Sequence, residues 1–275
     1  MNSDHVQLDQ YRIVIRERSL SDLLDLALCV VRVHGLPLLG LLALGAVPAA
    51  VLNDIWLTDE REWVFLEDFP SSYLFWNCFL IVAEIPLVTS LMTLYLGQTL
   101  FQQRIRWNSL FADWFRSLPQ LLIFQGLLRV PLALIFLAWP LLFAVWPYTS
   151  EVILLERNPL WARRGQMSTA RRIRALHSGW VGELFGRWIC ALGAGVLLAG
   201  SMGVGLYVVA GLLLNDWEAW ETVLRLHVPL SLWLTVGFFA VVRFLSYLDL
   251  RIRREGWEVE LLLRAEGARL ARQLS

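Results

Sequence analysis

Glu84 and Arg129 are the residues whose type and position could do chemistry. Each sits near the middle of a long apolar run, Glu84 in Ala83-Glu84-Ile85-Pro86 and Arg129 in Leu128-Arg129-Val130-Pro131. A charge at the centre of a bilayer costs about 2.5–3.5 kcal/mol on insertion scales, so each needs a partner or water. The spacing of the runs puts both near mid-depth on consecutive helices. The expectation is therefore an intramembrane ion pair, with the carbonyls freed by Pro86 and Pro131 adding further solvation of Arg129. Such a pair could form a proton or substrate site, or it could fix helix register. The register role is the preferred reading, because an isolated pair is less than a transport pathway requires.

Glu151 is a third candidate in this polar site, competing with Glu84 for Arg129. Glu151 and Glu156 are five residues apart, which on an α-helix places them roughly 140° apart around the axis. They are then not a matched pair for acid–base work, and Glu156 is expected to meet arginines at the inner surface. The four histidines, His5, His34, His177 and His227, have no metal-like spacing to one another, to Cys or to carboxylates. No metal or other cofactor is expected. Neither a nucleophile elbow nor a phosphate-cradling loop occurs. Thr89, Ser90 and Thr93 are expected to bond helix backbone.

The elements that must position these residues follow from composition. The chain has 275 residues, 57% hydrophobic and 17% charged, with a mean hydropathy of +0.55. A soluble domain carries roughly 25% charged residues, so the excess apolar surface must face lipid. Net charge is zero, and nucleic acid is not an expected partner. The three cysteines, Cys29, Cys78 and Cys190, lie in apolar runs and read as free packing residues. Residues 1–22 are polar with both signs of charge, so the first apolar run is expected to remain as a span.

A span needs about 20 apolar residues. Candidate spans fall near 35–53, 73–97, 118–138, 140–156, 184–213 and 228–248. Residues 19–33 read as an interfacial amphipathic helix, with Leu20, Leu23, Leu24, Ala27, Leu28 and Val31 on one stripe. Residues 249–275 read as a cytoplasmic amphipathic tail. The expected fold is thus an all-α polytopic bundle of six spans over 1–248 with both termini inside. Arginine distribution sets that topology. Loops 98–117 and 157–183 are arginine-rich, whereas 54–72 and 214–227 are acidic. Both arginine-rich loops belong inside only if 118–156 returns to its own side, which makes it a short hairpin or a re-entrant pair. Twelve of the fourteen tryptophans cluster near the expected span ends, as an aromatic belt would.

Two further patterns bear on packing. Gly195, Ala199 and Gly203 fall four apart, a ridge that lets helices approach closely and is read as internal packing. Leu52-Asn53-Asp54 and Leu214-Asn215-Asp216 suggest a short parallel repeat. On the cytoplasmic face, Arg163, Arg164, Arg171, Arg172 and Arg174 form a basic segment suited to anionic lipid, at about 1 kcal/mol per arginine near the surface. Arg253, Arg254 and Trp257 on the tail are candidate lipid or protein contacts.

Three stretches carry a resemblance: Glu84-Ile-Pro-Leu through Gly97-Gln98-Thr-Leu-Phe101, Glu151-Val-Ile-Leu-Leu-Glu156-Arg157, and Tyr247-Leu-Asp249-Leu-Arg251 through Trp257. Over most of its length the chain resembles an uncharacterised family of bacterial multipass membrane proteins. It is more distantly similar to the membrane domain of glycerophosphoryl diester phosphodiesterases. The resemblance implies a six-helix inner-membrane domain that serves as a scaffold or accessory unit. The hydrolytic barrel of those phosphodiesterases has no counterpart in this sequence, so their activity is not implied. The leading expectation is a non-catalytic scaffold or accessory subunit in a bacterial inner membrane. The alternatives are a small transporter or channel using Glu84 and Arg129, and a membrane-embedded enzyme acting on lipid.

Overall fold

The computed structural model describes residues 19–58, 71–101, 105–127, 146–160, 167–178, 181–215, 217 and 222–255. All its regular elements are helical. In chain order they are α1 (Leu20–Trp56), α2 (Ser71–Val88), α3 (Ser90–Phe101), α4 (Trp107–Leu121), α5 (Thr149–Glu151), α6 (Thr169–His177), α7 (Val181–Leu214) and α8 (Val228–Glu255). Wider π-helical turns extend three of them, at Leu122–Leu127 after α4, Val152–Glu156 after α5 and Val223–His227 before α8.

Four helical stretches are long and apolar enough to cross a membrane: Leu20–Trp56, Ser72–Leu100, Gly182–Leu213 and Val223–Arg253. They overlap four of the six expected spans. The other two fall in the segment between α3 and α7, of which 128–145 lies outside the described residues. Its two described legs lie side by side and antiparallel. Gln120 Nε2 donates to the carbonyl of Asn158 at 2.9 Å, and Gln125 Nε2 to Ser150 Oγ at 3.0 Å.

A kink at His34 sets the stretch 19–33 off from the apolar run that follows it within α1. Ser19 caps α1 reciprocally with Asp22, its hydroxyl taking the Asp22 N–H at 3.2 Å while Asp22 Oδ2 takes the Ser19 N–H at 3.1 Å. The helix then runs on to Trp56, with one opened turn at His34 (φ −113°, ψ 15°). Pro37 explains the opening. It has no N–H, and its ring crowds the carbonyl four residues earlier. The amphipathic stripe and the apolar run are therefore two helical stretches that adjoin directly at that kink.

Close helix approach is bought with glycine. A Cβ on Gly45 would lie 3.0 Å from the Val88 Cα, so α1 and α2 meet there nearly backbone to backbone. A Cβ on Gly195 or Gly203 of α7 would lie 3.5 Å from Phe239 or Ser231 of α8, which places this side of the small-residue ridge against α8 as expected. The remaining faces of α7 carry exposed Val196, Leu197, Val204 and Leu212. The central core gathers Leu38, Leu42, Leu91, Tyr95, Val241 and Phe244 from α1, α3 and α8.

The two Leu-Asn-Asp sequences take different places. Asn53 is buried within the last turns of α1. Asn215 follows the end of α7 in the left-handed region, at φ 50°. Asn tolerates that conformation where most residues do not.

Candidate functional site

The candidate site is a layered array of buried charge at the end of the bundle where α8 meets α5, α6 and the start of α7. Its innermost member is Glu151, whose side chain is fully buried. Arg243 Nε donates to Glu151 Oε1 at 2.6 Å, and Arg243 Nη2 donates to Thr89 Oγ1 at 3.1 Å. The Thr89 hydroxyl in turn donates its one proton to the Ile85 carbonyl at 2.7 Å, so towards Arg243 it can act only as acceptor. Thr89 lies in the turn between α2 and α3, downstream of Pro86. That break in the helix frees the site for an arginine to enter.

Glu156 forms the second layer. Arg172 binds it through both Nε and Nη2, the latter donating to Oε1 at 2.9 Å. Tyr247 Oη donates to the same Oε1 at 2.8 Å, and Asn158 Nδ2 to Oε2 at 3.2 Å. Arg251 stands 3.9 Å away. Burial pushes the Glu156 carboxyl up, but the hydrogen bonds from Arg172 and Tyr247 and the charges of Arg172 and Arg251 outweigh it. The group is held below the usual carboxylate range. Glu156 lies outside the four long apolar helices.

A third layer ties α7 to α8. Asp249 meets Arg187 and Arg253, each at 3.0 Å, and Glu183 meets the same two arginines at 3.1 and 2.8 Å. The four groups alternate in sign around a ring. Beside it, buried His177 donates from Nδ1 to the Ile173 carbonyl at 2.7 Å, which leaves Nε2 to accept the Tyr148 N–H at 3.4 Å. The ring is thereby fixed as the neutral Nδ1–H tautomer.

The winding of one short element decides this geometry. On an α-helix Glu151 and Glu156 would face apart. Val152–Glu156 is π-helical, and in a π-helix residues five apart come close to alignment. Both carboxylates therefore reach α8, where Arg243, Tyr247 and Arg251 recur every four residues along one stripe. The expected divergence of the two carboxylates is overturned by that extra width. They still do not act as a pair, since each takes its own arginine. Arg157 closes the π turn at φ 52° and reaches Asp113 of α4 at 2.6 Å.

The remaining expected site residues fall as follows. Glu84 accepts from Asn53 Nδ2 at 2.9 Å, joining α2 to α1. Arg129 lies outside the described residues, as do Arg163, Arg164 and Trp257, and the side chain of Arg254 is likewise outside them. Arg171 and Arg174 are exposed. Arg172 and Arg253, expected to face lipid or a partner, turn inward to Glu156 and to Asp249 with Glu183. Thr89, Ser90 and Thr93 each bond a carbonyl of the preceding turn.

Sequence reasoning missed Arg243, although it lies inside the apolar run 228–248, where a charge needs a partner or water.

Chemically the array holds protons and charge in place. Arginine stays protonated, and Arg172 holds Glu156 through two of its planar donors. Among the described residues no three His, Cys, Asp or Glu side chains converge as metal ligands. A groove of about 1080 Å³ runs between α1 and α8, and one of about 150 Å³ lies beside His34. Neither is lined by Glu84, Glu151 or Glu156. Compared with family models, curated proteins and solved structures, the chain matches none.

Proposed function

We propose that the chain is a multi-pass protein of a bacterial inner membrane and acts there as a non-catalytic scaffold or accessory subunit. The observation that carries this reading is the layered array. Segments 149–158, 172–187 and 243–253, far apart in sequence, are joined by ion pairs that occupy Glu151, Glu156, Glu183 and Asp249 with arginine. An uncompensated buried charge costs several kcal/mol, so such an array rigidifies one end of the bundle.

The arginine asymmetry of the loops puts this rigid end, and both chain termini, on the cytoplasmic side. The antiparallel legs bonded at Gln120–Asn158 and Gln125–Ser150 support a segment 105–178 that returns to the side it left. Four full spans plus that re-entrant unit then satisfy the charge rule without six crossings. Exposed Arg171 and Arg174 present positive charge to anionic headgroups or to an acidic partner.

The test is native mass spectrometry of the protein purified from its own membrane at its own expression level. A stoichiometric protein partner that is lost on deleting residues 256–275, or in an Arg171→Glu/Arg174→Glu variant, supports the reading. The truncation begins beyond Arg253 so that the array stays intact. A partner-free protein in both preparations overturns it.

A transporter reading rests on one observation. Among the described residues the hydrogen-bond partner of Glu84 is a neutral amide, so its charge is not cancelled there. Solute uptake into proteoliposomes that Glu84→Gln abolishes would establish that reading instead.

A further inference from the structure

The geometry points to a binding site for one zwitterionic phospholipid with a primary-amine headgroup, seated between α1 and α8 at the end remote from the arginine-rich loops. The site has an apolar part and a polar part that share walls.

The apolar part is the groove of about 1080 Å³. One stripe of α1 forms one wall, with Leu39, Ala43, Ala46 and Ala50 recurring every three or four residues, and Leu226, Leu230 and Leu234 form the other. The alanines make the space, because a larger side chain at any of them would fill it. From Leu39 to Asp54 the helix rises about 22 Å. One leaflet of the hydrocarbon core is about 15 Å deep, so the groove accepts the length of an acyl chain.

The polar part lies at the Asp54 end. Ala50, Asp54, Arg225, Pro229 and Trp233 line both the groove and a small adjoining cavity of about 10 Å³, into which Asn77 also faces. Two buried polar groups there have no hydrogen-bond partner among the described residues. Trp233 is 3% exposed and its Nε1–H donates to nothing, and Asn77 is 2% exposed and its Oδ1 accepts from nothing. Buried polar groups are satisfied in the large majority of cases. An orphaned donor and an orphaned acceptor on one cavity therefore call for a ligand that supplies both an oxygen and an N–H or O–H.

Charge narrows the ligand. Arg225 and Asp54 pair at 2.9 Å and remain 55% and 27% exposed. Among the described residues the mouth thus offers both signs. A phosphate suits Arg225 bidentately, and an ammonium suits Asp54. A net-anionic headgroup would leave Asp54 opposed to like charge. A quaternary ammonium has no N–H for Asn77 Oδ1. Phosphoethanolamine-type lipids meet all three demands. Lipid that merely surrounds the protein would show none of this discrimination.

The experiment is native mass spectrometry of the full chain, delipidated in detergent and titrated with dioleoyl phosphatidylethanolamine, phosphatidylcholine or phosphatidylglycerol. The expected result is a single retained phosphatidylethanolamine, preferred over the other two by about tenfold in affinity. Ala43→Trp fills the groove from an exposed position and should abolish the single bound lipid without changing the melting temperature of the delipidated protein. Arg225→Gln should erase the headgroup preference, and Trp233→Phe should weaken retention. Equal and graded binding of all three lipids overturns the proposal, as does wild-type retention by Ala43→Trp. A water held between Trp233 and Asn77, with no lipid preference, would also overturn it.

Discussion

Arg243 and Glu151 join across 92 residues of sequence, at 2.6 Å, with the carboxylate fully buried. The value of such a pair lies less in net stabilisation than in the cost of breaking it. Replacing both members by apolar groups of similar volume is often neutral or better, whereas removing one strands the other.

That asymmetry gives a double-mutant test. Arg243→Met alone should destabilise the protein by about 3–5 kcal/mol, because Glu151 is left charged and buried. Adding Glu151→Leu should recover most of the loss. Unfolding in mixed micelles measures both. Equal losses in the single and double variants would show that the arginine is held by contacts other than the carboxylate.

Glu156 predicts an acid limit. Its folded carboxyl is held below the usual range by Arg172, Tyr247 and Arg251. A depressed carboxyl stabilises the fold fully above its unfolded value, about 4.3, and the contribution fades as pH falls from there through the folded value. Wild type should therefore lose stability below about pH 4.3 more steeply than Glu156→Gln, which is less stable at neutral pH. Melting curves of the two proteins between neutral and acid pH compare the slopes, and parallel curves would dismiss Glu156 as a contributor.

Asn53 is the described support of Glu84. Asn53→Ala leaves Glu84 without that hydrogen bond and should cost about 1–3 kcal/mol. Asn53→Leu/Glu84→Leu should be far milder. If Asn53→Ala is silent in the same micelle assay, Glu84 draws its solvation from elsewhere.

The α1–α2 crossing predicts a contrast between glycines. At Gly45 an added side chain meets the Val88 backbone, whereas at Gly40 it meets nothing within 4 Å. Gly45→Val should cost about 1–3 kcal/mol through overpacking. Gly40→Val should fold as wild type does. Similar melting temperatures for the two would mean that the helices can separate at little cost.

The sequence by itself determined the helical class, four of the six expected spans as stretches able to cross a membrane, the internal use of the Gly195–Gly203 ridge, and the meeting of Glu156 with arginines. Each rests on one-dimensional quantities: apolar run length, residue size at helical spacing, and charge sign along the chain. Arginine on both sides of 118–156 also made a return of that segment the expectation. Tertiary structure decided what periodicity could not. It decided that the two helical stretches of α1 adjoin directly at His34 with no linker between them, because Pro37 opens a turn there. It decided that Glu151 and Glu156 share a face, because the local winding is π and not α, which no hydrophobic pattern encodes. It chose Arg243 as the partner of Glu151, because pairing depends on which helices touch, and residues 92 apart carry no sign of that in their spacing. The groove between α1 and α8 is a tertiary product of the same kind. Its alanines look like ordinary helix formers until a second helix stands beside them and leaves the gap open.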